Sequence, residues 1–312
     1  MRAVNSPRSC AAPGSVPISA RAAVLARMLD YLELTKPRIA VFALVTVAVG
    51  YTLGASGNWQ LAGLSHAMVG IALVAAGCSA LNQFIERSSD ARMRRTSNRP
   101  LPCGRLLPAE GLFFGLATGI LGTMYLVIWV NTLTAVLAVV TFVFYAAVYT
   151  PLKRVTSFCT VIGAIPGALP PVLGWTAGGG QLDAAAFTLF AILFLWQFPH
   201  FLAIAWLYRN EYHQAGLQML PSSRPSARVI GLISMVYALA LIPVSLLPMQ
   251  LTLAGNNYLF GALILGAGYL ACSVRFAVAE SVRTARELLW SSLIYLPTLL
   301  LVLTWDYLQL LH

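Results

Sequence analysis

The chain has 312 residues, of which 59% are hydrophobic and only 10% charged, and its mean hydropathy is +0.77. Ordinary soluble domains carry about a quarter charged residues, so these figures point to a membrane protein and exclude a disordered chain. Five cysteines at 10, 78, 103, 159 and 272 follow no zinc or redox spacing and are too sparse for a disulfide scaffold.

Residues 1–30 hold Arg, Ser, Pro and Ala, with no acid before Asp30, and lack the apolar run of a secretory signal. They read as a flexible tail ahead of a single domain over 31–312. A bacterial inner membrane is the expected location. An Arg- and Ser-rich, acid-poor start also suits a mitochondrial presequence, which keeps the mitochondrial inner membrane as the alternative. A spanning helix takes about 20 apolar residues, and such stretches fall at 38–54, 62–85, 109–128, 132–150, 158–178, 183–206, 228–249, 257–275 and 288–310. Backbone in hydrocarbon must be satisfied within its own segment, and short alternating strands are missing from the pattern. The expected fold is all-α, a polytopic membrane bundle of nine transmembrane helices.

All twenty Lys and Arg residues fall before the first span or in alternate connections: Arg2 to Arg38, Arg87 to Arg105, Lys153 and Arg154, Arg209 to Arg228, and Arg275 to Arg286. Basic residues gather on the cytoplasmic side, so nine spans with a cytoplasmic N-terminus explain the pattern. The same bias explains the net charge of +10 without nucleic acid. The connection from Glu86 to Pro108 nevertheless holds more arginine than orientation requires, which suggests an anionic partner at the cytoplasmic mouth.

The strongest chemical signal is Asn82-Gln-Phe-Ile-Glu86-Arg-Ser-Ser-Asp90 at the inner end of the second span. Spacing of four puts three oxygen-bearing side chains on one helix face over about 12 Å. That length suits a diphosphate and its bridging metal, since Mg²⁺ is usually held by one or two carboxylates plus phosphate oxygens and waters. On a plain surface Glu86 and Asp90 would only pair with Arg87 and Arg94, but Asn82 lies at membrane depth, where polar groups are more often functional. Arginine binds phosphate bidentately, and Arg95 and Arg99, just ahead of a proline-set turn, are the expected ligand contacts.

These residues resemble the intramembrane aromatic prenyltransferases, whose signature is Asn-x-x-x-Asp/Glu-x-x-x-Asp, and within them the branch that farnesylates haem. The resemblance also rests on Leu34-Thr-Lys-Pro-Arg38, Arg95-Thr-Ser-Asn-Arg-Pro-Leu-Pro102, Tyr149-Thr-Pro-Leu-Lys-Arg154, Trp196-Gln-Phe-Pro-His-Phe201, Tyr208-Arg-Asn-Glu-Tyr212 and Ala215-Gly216. It implies two four-helix halves and a ninth helix, with the connections after spans two and six facing each other across a cavity. It further implies that Asn82, Glu86 and Asp90 bind Mg²⁺ and diphosphate, that Glu211 adds a carboxylate from the other half, and that Lys153 and Arg154 neutralise the leaving diphosphate. His200, in the Pro-His-Phe motif, takes a role in haem contact or proton handling. The sequence departs from the pattern twice: the second loop has a single acid, Glu211, and Gln218 stands where the branch often has proline.

Gly111, Gly115 and Gly119 give the third span a small-residue face suited to close packing. Gly163, Pro166, Gly167, Pro170, Pro171 and Gly174 make the fifth irregular, a wall for a long isoprenoid chain. The resemblance implies transfer of a farnesyl group from farnesyl diphosphate to a vinyl group of haem B, forming haem O, with haem as substrate and haem-handling enzymes as partners. Prenylation of a quinone precursor or other aromatic acceptor uses the same ladder and is the nearest alternative. A secondary transporter would place its acids near the bilayer midplane, whereas these mark its edge.

Overall fold

Proline and short polar residues set the starts of the helices. The computed structural model describes residues 20–220, 226–279 and 281–311. Helix α1 covers Ala20–Leu34, and α2, Pro37–Gly54, starts on a proline whose missing N–H costs a helix nothing in its first turn. Helix α3, Leu61–Asp90, leads to α4, Pro108–Trp129, where Glu110 accepts from the Leu107 N–H at 2.7 Å. Helix α5, Thr132–Val143, is capped by Asn131 and runs through a π-helical turn, Phe144–Tyr149, into α6, Thr150–Leu152. The fifth span divides into α7, Cys159–Ala168, and α8, Pro170–Ala177. Helix α9, Ala184–Leu207, has Asp183 as its N-cap; α10, Arg209–Gln214, follows after a turn. The chain continues through α11, Ala227–Gln250, α12, Asn256–Val278, and α13, Val282–Leu310.

Among the described residues nine helical segments are long and apolar enough to cross a membrane, and there is no strand. The nine agree with the expected spans to within a few residues, except that α3 runs on to Asp90 and α13 begins at Val282. The tail expected over residues 1–30 reaches into the described residues, where Ala20–Leu34 form a helix with Asp30 and Leu34 buried against the bundle. Residues 1–19 lie outside the described residues.

Helix α3 packs on α4, and α11 packs on both α9 and α12, while α2 and α8 join distant parts of the chain. Glycine permits the approaches of α3 to α4, α2 to α8 and α11 to α12. A Cβ on Gly77 would lie 2.7 Å from the Gly115 carbonyl oxygen, and one on Gly50 only 2.0 Å from that of Pro171. Gly174 answers from α8, where a Cβ would meet the Val47 oxygen at 2.0 Å. The glycines of span five are therefore used partly in backbone-to-backbone packing. At the other end of the bundle, buried Asp306 of α13 accepts from the backbone N–H groups of Gly255 (2.6 Å) and Tyr258 (3.1 Å), satisfying the first turn of α12.

Candidate active site

At the end of α3, Asn82, Glu86 and Asp90 are 1%, 5% and 0% exposed, and Gln83 and Ser89 share their arc of the helix. Each member of the ladder meets a cation or its neighbour. Lys36 Nζ donates to Asn82 Oδ1 at 2.6 Å, and Asn82 Nδ2 donates to Thr150 Oγ1 at 3.2 Å. Lys153 Nζ lies 2.7 Å from Glu86 Oε1, and Arg99 Nη1 lies 2.6 Å from Asp90 Oδ2. Asp90 Oδ1 is buried without a partner.

The π turn before α6 delivers two of these groups. The Thr150 N–H bonds back five residues to the Tyr145 carbonyl, and Thr150 Oγ1 donates to the same oxygen at 2.7 Å. Such turns recur at functional sites because they shift the helix face. Here the shift leaves Thr150 against Asn82 and Lys153 against Glu86, with the Lys153 ammonium 4.3 Å from the Tyr149 ring centroid.

Lys36 reaches the ladder from a strained turn, with φ 51° and ψ 59°, immediately before Pro37. Burial pulls its pKa down to about 7, with Arg99 and Lys153 adding to the fall while Glu86 and Asp90 oppose it. Burial also works against the charge on Lys153, but Glu86 outweighs it and holds that amine well above its ordinary value. Two carboxylates thus face three basic groups in a desolvated pocket, an arrangement that favours an added anion.

Three loops close over this pocket. The Arg95 N–H donates to Glu211 Oε2 at 3.4 Å, its Nη2 donates to the Tyr212 hydroxyl at 3.1 Å, and its guanidinium lies 4.7 Å from the Tyr208 ring centroid. Met93 packs with Ala215 and Leu217. The Gln218 N–H donates to the Lys153 carbonyl at 2.7 Å, a bond that proline at this position could not make.

The structure therefore brings Asn82, Glu86, Asp90, Arg99 and Lys153 together, with Glu211 and Arg95 paired in the cap. It sets two expected residues apart. Arg154 turns to the far flank of α3, donating to the Ile85 carbonyl at 3.0 Å and Ser88 Oγ at 3.3 Å. His200 faces α13, where its Nδ1 lies 2.7 Å from Ser292 Oγ and its ring stacks on Trp196. The Ser292 hydroxyl also lies 2.6 Å from the Leu289 carbonyl oxygen, which ties the His200 contact to the backbone of α13.

Lys36 and Thr150 are additions to the expected site. Lys36 reads in sequence as one more topological charge, and Thr150 as part of a helix end. Among the described residues no three His, Cys, Asp or Glu side chains form a preformed metal cage. The all-oxygen donor set and the unpaired Asp90 Oδ1 nevertheless fit a hard divalent cation that shares its shell with phosphate oxygens and water. An apolar crevice of about 330 Å³ lies between α2 and α13, lined by Val41, Val45, Val49 and Leu301, with Met68 of α3.

Nine candidate spans among the described residues, an oxygen ladder at the C-terminal end of the second and two loops meeting beside it are the arrangement of an intramembrane prenyltransferase. Residues 43–302 match the UbiA prenyltransferase family, and the chain belongs to it. Among its relatives, the chain is 46% identical to the protoheme IX farnesyltransferase of Solibacter usitatus (strain Ellin6076), with 86% of this chain and 96% of that one covered. It is 44% identical to the protoheme IX farnesyltransferase of Koribacter versatilis (strain Ellin345), covering 92% and 96%. The fold resembles that of a UbiA homolog from Archaeoglobus fulgidus bound to GPP and Mg²⁺, with a TM-score of 0.61, 17% identity and coverage of 88% and 99%. A digeranylgeranylglyceryl phosphate synthase structure matches with a TM-score of 0.75 at 18% identity, covering 91% and 99%.

Proposed function

We propose that the protein transfers the farnesyl group of farnesyl diphosphate to a vinyl group of haem B, giving haem O and diphosphate. The pocket in which Lys36, Lys153 and Arg99 face Glu86 and Asp90 carries this reading, since it offers both cation ligands and an anion cradle on one wall. The kinship with protoheme IX farnesyltransferases supports haem as the acceptor.

Asn82, Glu86 and Asp90, with Glu211 from the opposite loop, would hold Mg²⁺, which supplies Lewis-acid stabilisation of the departing diphosphate. Lys36, Lys153, Arg95 and Arg99 bind the diphosphate oxygens; Lys36, Lys153 and Arg99 exchange their present partners for them. The allylic C–O bond of the donor then breaks and its electron pair leaves with the diphosphate. Apolar walls keep water from the resulting cation. The haem vinyl group attacks the farnesyl carbon, water adds to the cation so formed, and one proton is released. His200, held through Nδ1 by Ser292, is available to the haem iron or to that proton. Arg154 contributes by holding the end of α3. The distribution of basic residues and the bacterial relatives support a bacterial inner membrane with the N-terminus and this site on the cytoplasmic side.

The test is mass spectrometry of products after the purified protein is incubated with farnesyl diphosphate, Mg²⁺ and either haem B or 4-hydroxybenzoate. Haem O is expected from the first mixture; prenylation of 4-hydroxybenzoate alone would move the assignment to aromatic acids.

A further inference from the structure

Helix α1 is too polar to span a membrane, yet one side of it is bare. Val24, Leu25, Met28, Leu29 and Leu32 are 40–64% exposed. At about 100° per residue they fall within an arc of about 140°. This face is continuous with the lipid-facing surface, because α2 follows after two residues and exposes Ile39, Val41 and Phe42. Exposed Arg21 and Arg38 flank it at either end, a charge pattern that suits anionic headgroups.

The opposite face of α1 is bound to the loop that carries Arg99. Arg105 pairs with Asp30, lies 2.9 Å from Glu33 Oε2, and donates to the Asn98 carbonyl at 2.7 Å. Asn98 directly precedes Arg99. Arg27 donates to the Arg105 carbonyl at 2.7 Å and pairs with Glu110, while Gln83, beside Asn82, donates to the Leu34 carbonyl at 2.8 Å. Leu34 packs with Leu101 and Leu106 beneath the same loop.

We infer that α1 is a membrane-surface helix: its apolar face is seated in the lipid leaflet on the side of the diphosphate pocket, and its polar face, through Arg105, holds Arg99 in position against Asp90. Arg105 is thus a positioning residue, and the occupant of the apolar face is phospholipid. Seating in the leaflet fixes the tilt of α1 and, through Asp30 and Glu33, the path of residues 98–105.

The full chain carrying the photo-crosslinker benzoylphenylalanine at Met28 or Leu32 is reconstituted in vesicles of phosphatidylcholine and phosphatidylglycerol and irradiated. Phospholipid adducts are expected at both positions. A crosslinked dimer instead, or no lipid adduct at either, overturns the inference, and neither outcome requires catalytic turnover. The coupling is tested with L25D/M28D, which lifts the apolar face. KM for farnesyl diphosphate should rise by about tenfold with a smaller change in kcat, as expected when a binding group is misplaced. In an R105A background the same pair should add little, because the link is already broken. Unchanged KM in L25D/M28D, or full additivity with R105A, overturns the coupling. A wild-type protein that showed no farnesyl transfer would instead count against the proposed function and leave the crosslinking result standing.

Discussion

Lys153 Nζ lies 2.7 Å from Glu86 Oε1, which puts the last turn of span four in direct contact with the middle of the α3 ladder. Removing either partner leaves the other buried charge uncompensated. Glu86→Gln should therefore lower kcat by at least about 10²-fold, comparable to loss of one oxyanion donor. Single-turnover kinetics on protein shown to remain in the membrane would check this; a variant with normal turnover would remove Glu86 from the chemistry.

Asp90 has one oxygen on Arg99 and the other without a partner. Chelation with EDTA should abolish transfer and added Mg²⁺ should restore it. Asp90→Asn should demand about tenfold or more Mg²⁺ for half-maximal rate, in line with losses seen when metal-site groups are altered. The Mg²⁺ titration reads this separately from maximal rate.

Lys36 combines a left-handed backbone with an ammonium on Asn82. Asparagine tolerates that backbone region and lacks the charge. Lys36→Asn should keep its thermal stability while KM for farnesyl diphosphate rises by about tenfold, the cost of roughly 1.4 kcal/mol of lost binding. Binding of farnesyl diphosphate measured by calorimetry should fall by the same factor.

Gly50 and Gly174 leave no space for a methyl group, the nearest backbone oxygens being 2.0 Å from each hypothetical Cβ, whereas Gly268 has nothing within 4 Å. Gly50→Ala should destabilise by about 3 kcal/mol, the upper end of the usual overpacking range. Gly268→Ala should leave the melting temperature in detergent unchanged or slightly higher, since it replaces glycine within a helix.

Ser292 is the hydrogen-bond partner of His200. His200→Ala should raise KM for haem B by about tenfold or more without moving KM for farnesyl diphosphate, and Ser292→Ala should do the same to a lesser degree, as partners of a functional histidine generally do. Haem titration followed in the Soret region would reveal it. Equal haem affinity in all three proteins would make His200 a packing residue.

The spans were legible because each needs a long apolar run and the breaks between them are polar or glycine-bearing, with alternate ones basic. Helix α13 starts earlier than hydropathy suggests because Arg283, Arg286 and Glu287 form a polar first stretch behind the Ser281 cap, below the apolar segment. Helix α1 was hidden for the opposite reason: five apolar side chains scattered among Arg, Asp and Glu make a face but not a run. The ladder was legible from spacing alone. Lys153 and Arg154 are adjacent in sequence, but their backbone positions send one to Glu86 and the other to Ile85 and Ser88, which no pattern of residue types reveals. The reach of Lys36 to Asn82 starts from a left-handed backbone at φ 51°, which residue type alone does not announce. Gln218 stands where the branch often has proline, and its backbone N–H ties the second loop to Lys153.

The carboxylate of Asp306 is separated by 51 residues from the Gly255 amide that it satisfies. The first turn of α12 is therefore completed by a side chain of the final helix. Assembly of the second half of the bundle is in this way coupled to the arrival of its last segment.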